Sequence, residues 1–130
     1  MSEIMIVDDT SSSRRMISAL LKEEGHEVIE AVDGKDALEK LKPSVKMVIT
    51  DLSMPHINGL ELVKRIRENP DYKAIPVIMV SSESEEEIKA EGRAAGVTEW
   101  IDKPVSAGKL RDAVGRVFDI LKSVNKCISK

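Results

Sequence analysis

The runs Met47-Val48-Ile49 and Val77-Ile78-Met79-Val80 are apolar at every position. Side chains of a strand alternate between its two faces, so a strand made from either run is buried on both sides. Sheets covered on both faces are built from parallel strands joined by crossover helices. The rest of the chain fits that demand. β-type runs are read at Glu3–Val7, Glu27–Ala31, Met47–Thr50, Val77–Val80 and Glu99–Ile101, and a helical pattern follows each one. Right-handed crossovers then place helices on both sides of a five-stranded sheet, a doubly wound α/β fold.

Helix ends are marked in the sequence. Met16, Leu20 and Leu21 recur at helical spacing and stop at Gly25, so a first helix is expected over about residues 12–24. Asp33 is placed to cap a second helix that runs through Leu41, before Pro43. Leu60, Val63 and Ile66 stripe a third that must stop near Pro70. Ser84 with Glu87 reads as a capping box for a fourth, closing at Gly96. A fifth is expected from Ser106, with Leu110, Val114, Val117 and Leu121 on one face.

Composition narrows the function. The length of 130 residues allows one ordinary domain, expected to span 1–130 as a single unit. A net charge of -3 offers no basic field for nucleic acid. Cys127 is the only cysteine, which excludes an internal disulfide or a thiolate zinc cluster and reads as an incidental tail residue. Tyr72, Trp100 and Phe118 are the only aromatic residues of their types, too few to stack a flavin or a run of bases. No apolar run approaches the roughly 20 residues of a membrane span, and no signal peptide is evident, so a cytoplasmic protein is expected.

In an open α/β sheet, ligands bind beyond the carboxyl ends of the strands. Asp8 and Asp9 follow the first strand, Asp51 the third, Ser81 the fourth, and Lys103 lies just past the fifth. Three carboxylates brought together repel, so the site should show raised proton affinity or hold a cation. Oxygen donors alone favour Mg²⁺, which commonly takes one or two carboxylates together with phosphate oxygens. A lysine and a hydroxyl beside them suggest a phosphoryl ligand, with an Asp able to carry it as an acyl phosphate.

These residues resemble a known family. Asp8-Asp9, the stretch Asp51-Leu52-Ser53-Met54-Pro55 with Gly59 eight residues after Asp51, Val80-Ser81-Ser82 and Lys103-Pro104 resemble the response-regulator receiver domains of two-component signalling, over essentially the whole chain. The resemblance implies a flavodoxin-like sheet of strand order 2-1-3-4-5. It implies that Asp51 takes a phosphoryl group from a sensor histidine kinase or phosphotransfer protein. Asp8, Asp9, Asp51 and the main-chain carbonyl of Ser53 would hold Mg²⁺, with waters completing the octahedron. Lys103 would pair first with Asp51 and then with the phosphoryl oxygens. Ser81 would swing toward the phosphoryl, and Trp100 would occupy an aromatic switch position, the indole moving inward from a more solvated place.

Such a protein is a regulator that assists its own phosphorylation and dephosphorylation, rather than an enzyme acting on an outside substrate. Its target would be a protein docking on the fourth helix, fifth strand and fifth helix, with no nucleic acid and no membrane involved. The acidic run Glu83 and Glu85 to Glu87 is either a solvated first turn or a selector of a basic partner. Ser81 stands where Thr is common, Trp100 where Tyr or Phe is usual, and Val105 where Phe is frequent. His26 and His56 are read as solvent-exposed loop residues, and Trp100 has packing as its plainer reading.

A stand-alone receiver is expected, in chemotaxis-type control or as an intermediate of a multistep phosphorelay, with a receiver cut from a longer regulator as another possibility. A flavodoxin-like electron carrier shares the fold, and Thr10-Ser11-Ser12-Ser13 faintly suggests a phosphate loop, but the aromatics that hold a flavin are missing. A haloacid-dehalogenase-type phosphatase needs two Asp separated by one residue, whereas Asp8 and Asp9 are adjacent.

Overall fold

A computed structural model describes residues 3–82 and 85–128, with side chains as far as Leu121. Strand and helix alternate without exception: β1 (Glu3–Val7), α1 (Ser11–Glu23), β2 (Glu27–Ala31), α2 (Gly34–Lys40), β3 (Val45–Asp51), α3 (Gly59–Glu68), β4 (Val77–Ser81), α4 (Glu86–Ala95), β5 (Glu99–Asp102) and α5 (Ala107–Ile128). All strand pairs are parallel, in the order β2-β1-β3-β4-β5. The doubly wound sheet expected from the apolar runs is therefore the one observed.

Alternation along the strands builds two cores. Ile4, Ile6, Met47, Ile49, Ile78, Val80 and Ile101 face α1 and α5, where Ile17, Leu21, Leu110, Val114 and Val117 meet them. Met5, Val7, Val48, Val77 and Met79 face the other way, against Ala37 of α2 and Leu62, Val63 and Ile66 of α3. Trp100 packs on this second side and Ile101 on the first.

Most boundaries lie within a residue or two of expectation, and the differences have local causes. β3 begins at Val45 rather than Met47, because exposed Lys46 interrupts the apolar run while the backbone still pairs with β1 across a register shift between Glu3 and Ile4. Gly25 and Gly96 take φ of 89° and 108°, the left-handed values that end α1 and α4. Asp33 caps α2 as expected, its side chain accepting the Asp36 N–H at 2.8 Å. Asn58 caps α3 in the same way, accepting from Glu61 N–H at 2.9 Å. At α4 the N-cap position is Glu85, with no side-chain cap bond; the capping box assigned to Ser84, like Glu83, lies outside the described residues. Cys127 falls within α5 rather than in a tail.

Arg67, in the last turn of α3, ties the far end of the sheet together. Its guanidinium donates to the carbonyls of Gly96 at 2.7 Å and Lys73 at 3.0 Å, and to that of Ile75. No described carboxylate pairs with it. A cation among carbonyls at the ends of α3 and α4 is favoured by both helix dipoles.

Candidate functional site

The strand order brings the sequence-predicted residues to one edge. Val7 is in register with Thr50, and Asp51 with Val80, so the residues following β1 stand beside the last residues of β3 and β4. Carboxylate oxygens of Asp8, Asp9 and Asp51 lie within 4.8 Å of one another. Asp8 is 2% exposed and Asp51 7%, while Asp9 is open to solvent. Ser81, 2% exposed, ends β4, and Lys103 follows β5 directly.

Each group is held by identifiable bonds. Asp51 Oδ1 accepts the Leu52 N–H at 3.0 Å and pairs with Lys103 Nζ at 3.2 Å. Lys103 is itself anchored, its N–H donating to the Ser81 carbonyl at 2.9 Å, ahead of a cis peptide to Pro104. Asp8 Oδ1 accepts the Thr10 N–H at 2.9 Å. Burial pushes the Asp8 carboxyl above its ordinary pKa; the Thr10 N–H opposes this, and the neighbouring Asp51 charge adds to it.

Gly59 explains why the β3–α3 loop can close so near Asp51. Its N–H donates to the Leu52 carbonyl at 2.8 Å, and a Cβ there would run into the Asp51 carbonyl and stand 2.8 Å from Met79 Sδ. Ser53 lies exposed in that loop.

The donor set fits a hard divalent cation. All three side chains offer oxygen, one lysine cannot balance three carboxylates, and burial, with the Asp51 and Asp9 charges adding to it, raises the proton affinity of Asp8, a cost that a bound cation would offset. Mg²⁺, which keeps waters and accepts a few carboxylates, suits a shallow site with one open acid.

Two features depart from the sequence reading. The indole of Trp100 is already half-buried in the second core, with Nε1 out of contact with water and unpartnered, rather than in a more solvated place. His26 is partly buried rather than exposed, its ring 5.8 Å from that of Phe118 and its Nδ1 buried without a partner. His56 is exposed as expected, at a left-handed φ of 69°. The acidic residues Glu85 to Glu87 are exposed at the start of α4.

Sequence reasoning also missed Arg14, whose guanidinium donates to the Asp8 carbonyl at 2.8 Å. A basic residue six positions after Asp8, in the first turns of the helix that follows the acids, was the available signal.

A match to the response regulator receiver domain family covers residues 4–115. Chemotaxis protein CheY-3 of Vibrio cholerae is 38% identical over 121 residues, which is 92% of this chain and 93% of that protein. Chemotaxis protein CheY1 of Helicobacter pylori is 39% identical over 113 residues, 85% of this chain and 91% of the relative. Among solved structures, chemotaxis protein CheY4 of Vibrio cholerae superposes with a TM-score of 0.84 at 38% identity, covering 90% of this chain and 98% of the other.

Proposed function

This chain belongs to the response regulator receiver domain family, and from that premise we propose that Asp51 is its phosphoryl acceptor, with Asp8, Asp9, Asp51 and the Ser53 carbonyl holding Mg²⁺. The observation that carries this reading is the setting of Asp51: nearly buried at the end of a central strand, paired with Lys103 at 3.2 Å, and within 4.8 Å of two further carboxylates. Phosphoryl transfer needs positioning and charge neutralisation more than bond-making groups, and that is what these residues supply.

Asp51 Oδ1 is engaged by Leu52 N–H and Lys103. The other carboxylate oxygen attacks the phosphorus of a phosphohistidine; the new O–P bond forms as the N–P bond breaks, and the imidazole nitrogen leaves with the electron pair and takes up a proton. The Lys103 ammonium then shifts its pairing to a phosphoryl oxygen, and the Ser81 hydroxyl donates to another. Bound Mg²⁺ would supply positive charge to the oxygens of the transferring group.

The protein acts as a single regulatory unit over residues 1–130, in the cytoplasm, and not as an enzyme with an outside substrate. Its phosphoryl donor is a sensor histidine kinase or phosphotransfer protein, and its output is a protein target on α4, β5 and α5, with exposed Glu85 to Glu87 favouring a basic partner. Among the described residues no helix is long and apolar enough to cross a membrane. Similarity to chemotaxis proteins supports this output over an electron-carrier role.

The test is direct. Wild-type protein incubated with a small acyl-phosphate donor and Mg²⁺ should gain one phosphoryl mass that is labile to hydroxylamine. Asp51→Asn should gain none, and uptake by that variant would remove Asp51 from the role.

A further inference from the structure

From the contacts around Asp8 we infer that Arg14 is a positioning residue for the metal-binding acids; the inference rests on the receiver reading and adds a residue to it. Arg14 sits in the first turns of α1 with its side chain only 14% exposed. Its Nη1 donates to the Asp8 carbonyl at 2.8 Å, and its Nε reaches Glu30 Oε1 on β2 at 3.1 Å. The guanidinium thus addresses the main chain of Asp8 and leaves the carboxylate available for a cation.

That contact completes a three-point hold. The Asp8 N–H donates to the Ala31 carbonyl at 3.1 Å, its Oδ1 accepts from Thr10 at 2.9 Å, and its carbonyl is taken by Arg14. Fixing the carbonyl fixes the plane of the Asp8–Asp9 peptide, because the peptide unit is rigid. Asp9 is exposed, with no packed neighbour among the described residues to place it, so the backbone before it sets where its side chain starts. Arg14 therefore orients both acids at once. Glu30 holds the guanidinium fork in place and offsets its charge.

Charge alone argues the other way, which makes the inference decisive to test. A guanidinium near a cation site repels Mg²⁺, so removing it should tighten binding if electrostatics were its only effect. Loss of a group that orients metal ligands typically weakens affinity 10- to 100-fold.

The experiment is calorimetric titration of the metal-free 130-residue chain with Mg²⁺ alone. Arg14→Met should raise the Mg²⁺ Kd by about tenfold or more, and amide exchange at Asp8 and Thr10 in the metal-free protein should speed up. Arg14→Lys, which keeps the charge but loses the fork, should fall between wild type and Arg14→Met, and it is the variant read if Arg14→Met does not fold. A Kd for the readable variant within twofold of wild type, or tighter, would overturn the inference while leaving the receiver reading intact. Absence of Mg²⁺ binding by the wild type would instead overturn the metal site, and this inference with it.

Discussion

The indole of Trp100 on β5 rests against Gly92 of α4, where a Cβ would stand 2.8 Å from Cζ3 and 3.4 Å from Cε3. Glycine inside a helix costs about 1 kcal/mol relative to alanine, and here the bare backbone is what admits the larger ring. The position of α4 and the rotamer of Trp100 are thus one variable rather than two.

Gly92→Ala gains helix propensity but overpacks the indole, which typically costs about 1–3 kcal/mol. The net effect should be destabilisation, with red-shifted emission and stronger iodide quenching as the ring is displaced. Denaturant unfolding and Trp100 fluorescence measure both, and unchanged emission would show that α4 yields instead.

At the acid cluster, Mg²⁺ should stabilise the wild type by RT ln(1 + [L]/Kd), about 1.4 kcal/mol at ten times Kd. Asp8→Asn removes a buried charge that repels Asp51, so the metal-free variant should melt higher than metal-free wild type and lose most of the Mg²⁺ response. Thermal melts with and without millimolar Mg²⁺ check this; an undiminished response would exclude Asp8 from the metal site.

His26 gives a pH dependence with a defined sign. Burial holds its pKa below the ordinary 6.5, so on acidification the unfolded chain takes up the proton first. The stability tied to neutral His26 is full above pH 6.5 and is lost as pH falls below it, down to the folded-state value. His26→Leu should flatten the decline in melting temperature between pH 7 and pH 5.5. Parallel curves for variant and wild type would count against the buried neutral ring.

Gly59→Ala should be the costliest small substitution near the site. Its Cβ would meet the Asp51 carbonyl and Met79 Sδ, and backbone cannot retreat as a flexible side chain can. A loss of about 2 kcal/mol or more, with slowed phosphoryl uptake on Asp51, is expected from denaturation and mass-shift assays. Wild-type stability would mean that the β3–α3 loop moves freely.

The central strands and the acid cluster were legible because continuous apolar runs ending in Asp or Ser have few other uses. Edges were less so. The start of β3 was hidden by Lys46, whose exposure breaks the pattern without breaking the pairing. Arg67 was invisible because its observed acceptors are main-chain carbonyls, which carry no residue signature. Arg14 escaped for the same reason, since its contact with the site is the Asp8 carbonyl rather than an acidic side chain. Partial burial of His26 depends on α5 folding back over the end of α1, a long-range event that local sequence does not record.

The sheet separates two cores, one under α1 and α5 and the other under α2, α3 and α4. Substitutions on opposite sides should therefore combine nearly additively, since they share few partners. This gives the chain an evolutionary freedom: the interior of either layer can be repacked while the other stays as it is. β5 is the exception. Its neighbours Trp100 and Ile101 enter different cores, so a change of partner specificity that reaches this strand must be accommodated by both layers together.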